Sequence, residues 1–352
     1  MSWPGSTSSS TVAWPDRSWA EQPVDSSADA DTVVDAMSTL CAQHPEHGET
    51  HAVVVVHRGA VVAEGYGPGR DATTPALAWS IAKSITHALT GFVVADGQLD
   101  VAAPAAVPEW ADDARSAITV QHLLNMRDGL DFNEEYVDIG TSHVVDMLFV
   151  SGKDDVAGYA ASRPARHPAG TTWSYSSGTT NILSRLVAEA ARLPGETRAD
   201  ASNRLLARLF EPLGMGSAVA DLDATGTFVG SSFVHATPRD YARFGYLYLH
   251  DGVWAGERLL PEGWVAHGRT QTALDPDNGF GYGAHWWLWP DRPGVFAAHG
   301  FEGQFVVVAP DRDLVIVRFG KTDRALRPNV VHHLRRILDA FPVASPATGA
   351  GG

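Results

Sequence analysis

Three groups of residues in this chain have types and spacings that could make and break a covalent bond. The first is Ser80-Ile81-Ala82-Lys83. On a helix, residues three apart share a face, so a hydroxyl and an ammonium would stand side by side. Ser80 falls at the expected helix start, where free N–H groups and the positive dipole end favour developing negative charge. A serine hydroxyl becomes a nucleophile only when its proton is drawn off, and a desolvated lysine can draw it. Alone the pattern is common, and a helix start with a solvated lysine is its ordinary meaning. The second group is Tyr175-Ser176-Ser177, presented on a loop before a helix. Tyr175 as a phenolate is an alternative base, provided that a cation such as Lys83 depresses its pKa from near 10. The third is Ala298-His299-Gly300-Phe301, which runs into the strand FVVVAP. Gly300 would let a substrate backbone approach, a free N–H beside it could complete an oxyanion hole, and His299 invites proton transfer.

The elements that must position these residues follow from periodicity. Ile81, Ile85, Ala88, Leu89, Phe92 and Val93 recur at helical spacing, predicting a helix over Trp79–Asp96. A further helix is expected over Ala30–Ala42, a hairpin over His51–Tyr66 turning at Arg58-Gly59, and a helix capped by Thr119 that carries HLLNM. Short helices are predicted over Val144–Val150 and Val156–Ala161, and longer ones over Asn181–Arg192 and Ser202–Leu213. Strands return in YGAHWWLW, FAAHGFEGQFVVVAP and DLVIVRFG, and an amphipathic helix over Val330–Ala340 follows. Strands at both ends with helices between them imply an α/β (α+β) fold: one antiparallel sheet built from both chain ends, flanked by helices, with an inserted, mostly helical lobe. The expected division is a loose leader over 1–30, an ordered domain over 31–342 and a flexible tail over 343–352. Within the domain, 31–80 and 230–342 form the α/β lobe and 81–229 the helical lobe.

Composition narrows the function classes. The chain has 352 residues, 44% of them hydrophobic and 19% charged, enough to bury a large core. Its formal charge of −15 repels nucleic-acid phosphates and anionic lipid, so neither is an expected partner. No apolar run reaches the ~18 residues of a membrane span. The N-terminus lacks a signal-peptide pattern, and the single cysteine, Cys41, suits a reducing compartment, so the expected address is cytoplasmic. Oligomeric state is unspecified, since no heptad run or interface stripe is visible.

The order Ser-x-x-Lys, then Tyr-Ser-Ser, then a glycine-bearing strand resembles the penicillin-recognising serine hydrolases, within them the class C β-lactamase-related branch. WSIAKSIT, ITVQHLLNMRDGLDFNEEY, PAGTTWSYSSGTTNIL, ATPRDYARFGYLYLHDGVW and GFEGQFVVVAPDRDLVIVR are similar to the 6-aminohexanoate-dimer (nylon oligomer) hydrolase group in particular. The resemblance implies a β-lactamase/transpeptidase-like fold and hydrolysis of small amides or esters through an acyl-enzyme, without metal or other cofactor. Ser80 would be the nucleophile, Lys83 its base, and Tyr175 the relay of protons to and from the leaving group. The backbone N–H groups of Ser80 and Phe301 would form the oxyanion hole. Tyr136, Ser177, His299 and Gly300 would contact substrate. Two departures matter: Ser177 stands where the family has an amide, and Ala298-His299-Gly300 where it has Lys-Thr-Gly. Ala298 cannot attract a carboxylate, which counts against a β-lactam substrate. Lys321-Thr322-Asp323 follows the next strand and lacks the glycine.

Linear amides of the 6-aminohexanoate-dimer type are the expected substrates, with short acyl esters as the alternative. An acidic run (Glu134, Glu135, Asp138) and Trp286, Trp287 and Trp289 could suit an amine-ended flexible chain, although a solvated loop and core tryptophans are the commoner meaning of such residues. Rival readings are weaker. Cys41, His44, His47 and His51 have zinc-compatible spacing, but Pro45 and Gly48 interrupt them. A conventional α/β-hydrolase would need a Gly-x-Ser-x-Gly elbow, which is absent. A non-catalytic binding module of the same fold would have little reason to keep Ser80, Lys83 and Tyr175 together.

Overall fold

The computed structural model describes residues 14–15, 18–136 and 140–344. The strands are β1 (Ala20–Glu21), β2 (Glu49–His57), β3 (Ala60–Tyr66), β4 (Ala76–Leu77), β5 (Val219–Ala220), β6 (Val234–Ala236), β7 (Val253–Trp254), β8 (Glu257–Arg258), β9 (Ala273–Leu274), β10 (Gly281–Tyr282), β11 (Trp287–Leu288), β12 (Phe296–Gly300), β13 (Gln304–Ala309) and β14 (Leu314–Lys321). The α-helices are α1 (Ala30–Cys41), α2 (Ile81–Ala95), α3 (Val120–Leu124), α4 (His143–Phe149), α5 (Val156–Ala161), α6 (Ser177–Ala191), α7 (Arg198–Leu213), α8 (Pro238–Leu249), α9 (Trp264–Gly268) and α10 (Arg327–Asp339). The main sheet has the order β1-β3-β2-β14-β13-β12-β11-β10-β9 and is antiparallel except where β1 joins β3. Strands from both ends of the chain thus meet at β2–β14, in the centre of one sheet.

Alternation along the central strands explains why they read as unbroken apolar runs. Val54 and Val56 face the core shared with α2 and α8, whereas Val53 and Val55 face the one shared with α1 and α10. A strand covered on both faces has no polar side to show; each buried valine contributes about 1.5–3 kcal/mol. The β2–β3 hairpin turns through Arg58 (φ +49°) and Gly59 (φ +78°), a two-residue turn whose twist matches the strands it joins.

Two expectations need correction, and one helix lies outside the predicted elements. YGAHWWLW is not one strand, because a turn closed by Gly283 N–H donating to Trp286 O (2.9 Å) separates β10 from β11. Helix α8 was not foreseen, despite its Thr237 cap and Pro238 in the first turn. The leader is not loose where it is described: Trp19 is buried, β1 pairs with β3, and Trp14 packs on Tyr246 and Trp254. The remaining leader positions, Asp138 and residues 345–352 lie outside the described residues.

Candidate active site

Helix α2 runs through the centre of the molecule and is buried from Ile81 to Val93. The chain enters it through Trp79, a non-glycine residue held at φ +47°, with Ile81 N–H bonded to Ala78 O and Ala82 N–H to Trp79 O. Such backbone strain persists only where the surrounding structure enforces it, and it clusters at functional sites. The next residue is Ser80, whose hydroxyl makes no capping bond to its own helix.

One turn on, Lys83 is 1% exposed, and its Nζ has three oxygen neighbours: Ser80 Oγ at 2.8 Å, Ser177 Oγ at 3.0 Å and Ser231 O at 3.1 Å. Ser177 opens α6 and is fully buried; its Oγ donates to Glu134 Oε1 (2.5 Å) and its N–H to Glu134 Oε2 (2.7 Å). Glu134 thus places a carboxylate at the N-terminus of α6, a favourable site for negative charge. Desolvation pushes the Lys83 pKa down to about 8, even though Glu134 opposes the shift. Desolvation raises Glu134, against the pull of Lys83 and the Ser177 hydrogen bonds.

Tyr175 joins the same cluster. Ser174 N–H donates to Met126 O (2.9 Å), fixing the loop, and the Tyr175 ring packs on Trp287 and Tyr282. Lys83 Nζ lies 4.8 Å from the ring centroid. Here the phenolate expectation fails: burial drives the Tyr175 pKa well up, the Glu134 charge drives it further, and a hydrogen bond with Ser80 only partly offsets them. Of the two candidate bases, lysine is the one whose environment favours the basic form near neutral pH.

The third motif arrives from the sheet. A Cβ on Gly300 would lie 2.5 Å from Ala78 O, so the end of β12 passes directly beside the segment that carries Ser80. Phe301 follows, its ring 5.5 Å from that of Trp79 and stacked at 4.4 Å on Tyr136. The turn after it is held by buried Arg318, which donates to Glu302 O, Gly303 O, Glu49 O, Thr50 Oγ1 and Thr322 Oγ1. Tyr136 therefore reaches the cluster, and it also hydrogen-bonds with Ser177.

His299 does not point the same way as Gly300. It is the next residue back along a strand, and its ring stacks on Trp287 at 5.3 Å, meets Phe280 and Phe305 edge-on, and accepts from Trp289 Nε1 at 3.2 Å. Burial pushes its pKa down to about 3, so it is a neutral member of an aromatic box. Of the tryptophans, Trp286 and Trp289 are core residues, and Trp287 is the one that touches Tyr175. The acidic run is not an open anionic mouth: Glu134 turns inward, and Glu135 pairs with Arg324 (3.3 Å).

Sequence reasoning did not single out Ser231, and it placed Glu134 only in an acidic run that could face substrate, not in the cluster with Lys83 and Ser177. Glu134 sits in an irregular loop and meets α6 across 43 residues, so no periodicity signals it; its closeness to Tyr136 was the only available hint. Ser231 contributes a backbone carbonyl, which carries no residue signature. Among the described residues no group of three or more His, Cys, Asp or Glu could hold a metal ion. His44 lies near Glu46 and His51 near Glu49, while Cys41 lies against Gly65. Nor is any described helix long and apolar enough to cross a membrane.

The family described as Beta-lactamase matches residues 39–340. The 6-aminohexanoate-dimer hydrolase of Paenarthrobacter ureafaciens is 29% identical over 343 residues, covering 87% of this chain and 84% of that protein. Two solved structures share the fold. A family VIII carboxylesterase has a TM-score of 0.67 at 15% identity, covering 88% of this chain and 97% of the other. A D-stereospecific amidohydrolase from Streptomyces sp. has a TM-score of 0.63 at 17% identity, covering 89% and 98%.

Proposed function

The chain belongs to the Beta-lactamase family and is a serine hydrolase, and from that premise we propose that it cleaves small linear amides through an acyl-enzyme on Ser80, with Lys83 as the base. The observation that carries this reading is the set of three oxygens around Lys83 Nζ. Ser231 O can only accept a hydrogen bond. Ser177 Oγ has committed its proton to Glu134, so towards Lys83 it too can only accept. A neutral amine has two protons and one lone pair. Both protons are thus assigned, and the lone pair is left facing Ser80 Oγ, the one neighbour with a proton to give. A pKa of about 8 keeps a useful fraction of Lys83 in that form near neutral pH.

In the forward step, Ser80 Oγ attacks the substrate carbonyl as its proton passes to Lys83. The N–H groups of Ser80 and Phe301 would receive the oxyanion, the role for which the approach of Gly300 to Ala78 O prepares them. Tyr175 stays protonated at rest, so it acts as a donor: its hydroxyl proton goes to the leaving amine while the Lys83 proton replaces it. No free phenolate forms. In deacylation, water attacks the acyl carbonyl as its proton passes to Lys83, and Lys83 then returns a proton to Ser80 Oγ as the acid departs. Tyr136 and Ser177 border the same space, and no cofactor enters the scheme.

The named substrate class is linear amides of the 6-aminohexanoate-dimer type, supported by the likeness of this chain to the Paenarthrobacter enzyme. A short-chain carboxylesterase is the second reading, favoured by the family VIII likeness and by the aromatic walls of Trp79, Tyr136 and Phe301. A cytoplasmic address belongs to the proposal and rests on the single Cys41. The deciding experiment compares linear 6-aminohexanoate dimer and nitrophenyl butyrate as substrates of wild type and Ser80→Ala. Ser80-dependent cleavage of the dimer supports the amidase reading, and cleavage of the ester alone supports the esterase. Turnover of neither by folded protein refutes both.

A further inference from the structure

Arg327 stands at the first position of α10, and among the described residues its guanidinium makes neither a hydrogen bond nor an ion pair. Its Nε is buried without a partner. The guanidinium carbon lies 5.3 Å from the ring centroid of Phe301, and Tyr136 stacks on that same ring. Glu302 acts on it only from beyond ion-pair distance, and Arg324, the neighbouring cation, is already held by Glu135 (3.3 Å) and Asp277 (3.0 Å). Tyr175 and Tyr136, which border the reacting space, both feel the Arg327 charge. Arginine cannot shed its proton to relieve desolvation. A half-buried, uncompensated guanidinium is costly unless an anion arrives to share it.

Resting on the hydrolase reading above, we propose that Arg327 is the specificity residue for a carboxylate on the leaving-group side of the substrate, taking over from α10 the charge that Ala298 cannot supply from β12. The side follows from the chain of contacts: Arg327 lies over the Phe301 ring, Tyr136 stacks on that ring and hydrogen-bonds with Ser177, and Ser177 is two residues from Tyr175, the donor to the leaving amine. The substrate class is therefore amides whose departing amine bears a carboxylate on a short flexible chain. Guanidinium and carboxylate can pair through two parallel hydrogen bonds, which orients the amine as well as binding it.

The test uses butyramides of ω-amino acids with several chain lengths, each against its primary-amide counterpart, with nitrophenyl butyrate as a third substrate. All three form the same butyryl-enzyme, so any difference between them arises in acylation. For wild type, kcat/KM should favour the carboxylate over the carboxamide by about ten- to a hundredfold, chiefly through KM, as expected for one charge-assisted contact. Arg327→Gln should collapse that ratio to near one, Arg327→Lys should keep part of it, and Arg327→Glu should invert it. A wild-type ratio near one, or a ratio unchanged in Arg327→Gln, overturns the assignment while Ser80-dependent ester turnover leaves the hydrolase reading intact. Absence of Ser80-dependent turnover on all three substrates overturns both.

Discussion

Replacing Glu134 with glutamine changes one charge in the cluster with little change of shape, and its effect on the pH–rate profile can be worked out from the geometry. Lys83 Nζ is 3.0 Å from Ser177 Oγ, which is 2.5 Å from Glu134 Oε1, so the two charges are at most about 5.5 Å apart. At an effective dielectric constant near 20, that separation is worth about 3 kcal/mol. This corresponds to about two pH units, and partial water penetration would reduce it to about one. Glu134 stabilises the ammonium form of Lys83, so its loss lowers the lysine pKa further below about 8. In the proposed mechanism the active form is the neutral amine; the rate should therefore rise with pH through the lysine pKa, and this limb should move acidward by about one to two units in Glu134→Gln. The plateau should fall as well. The glutamine oxygen is needed by the Ser177 N–H, which leaves its NH2 facing Ser177 Oγ. The serine proton then turns towards Lys83 and competes for the lone pair that Ser80 requires. A loss of about tenfold or more is expected for such a disturbed proton transfer. The assay is kcat/KM for a neutral ester from pH 5 to 9, in wild type and variant. A limb that stays near pH 8, or moves to higher pH, refutes the coupling.

Three other variants probe the supports. Tyr175→Phe should cut amide turnover by about two orders of magnitude or more, and an ester with a good leaving group should suffer less, because it needs no proton from the phenol; equal loss on both substrates would remove Tyr175 from leaving-group protonation. Gly300→Ala puts a methyl 2.5 Å from Ala78 O and 2.8 Å from Gln304 Cβ; the forced shift should cost about 1–3 kcal/mol in urea unfolding, together with much of the activity, and a wild-type midpoint and rate would contradict the close approach. Arg318→Met strips the hydrogen bonds from the carbonyls of Glu302, Gly303 and Glu49 in the interior, and should destabilise the protein by several kcal/mol at about 1–3 kcal/mol per orphaned group.

What could be read from the sequence was what local spacing encodes. Ser80 and Lys83 meet because three residues on a helix return to one face, and the Arg58-Gly59 turn and the Thr119 cap are likewise local chemistry. The central sheet was legible because β2, β13 and β14 are covered on both faces and so carry unbroken apolar runs. Long-range contacts were not legible. Glu134 looked like a member of a solvated acidic loop until the N-terminus of α6 was placed against it. The state of Tyr175 was misjudged for the same reason: its pKa is set by burial and by Glu134, neither of which spacing reveals. His299, one residue from Gly300, shows the limit of motif reasoning on strands, since adjacent side chains face opposite sides. Helix α8 was overlooked despite the cap and the proline at its start.

The central claim is that Ser80, activated by Lys83, carries the acyl group. Its most direct test is the mass of protein quenched during turnover of nitrophenyl butyrate, followed by peptide mapping, for wild type, Ser80→Ala and Lys83→Met. The account predicts a single butyryl group on Ser80 in wild type and none in either variant. A butyryl group on another residue, or undiminished labelling of Lys83→Met, would contradict it.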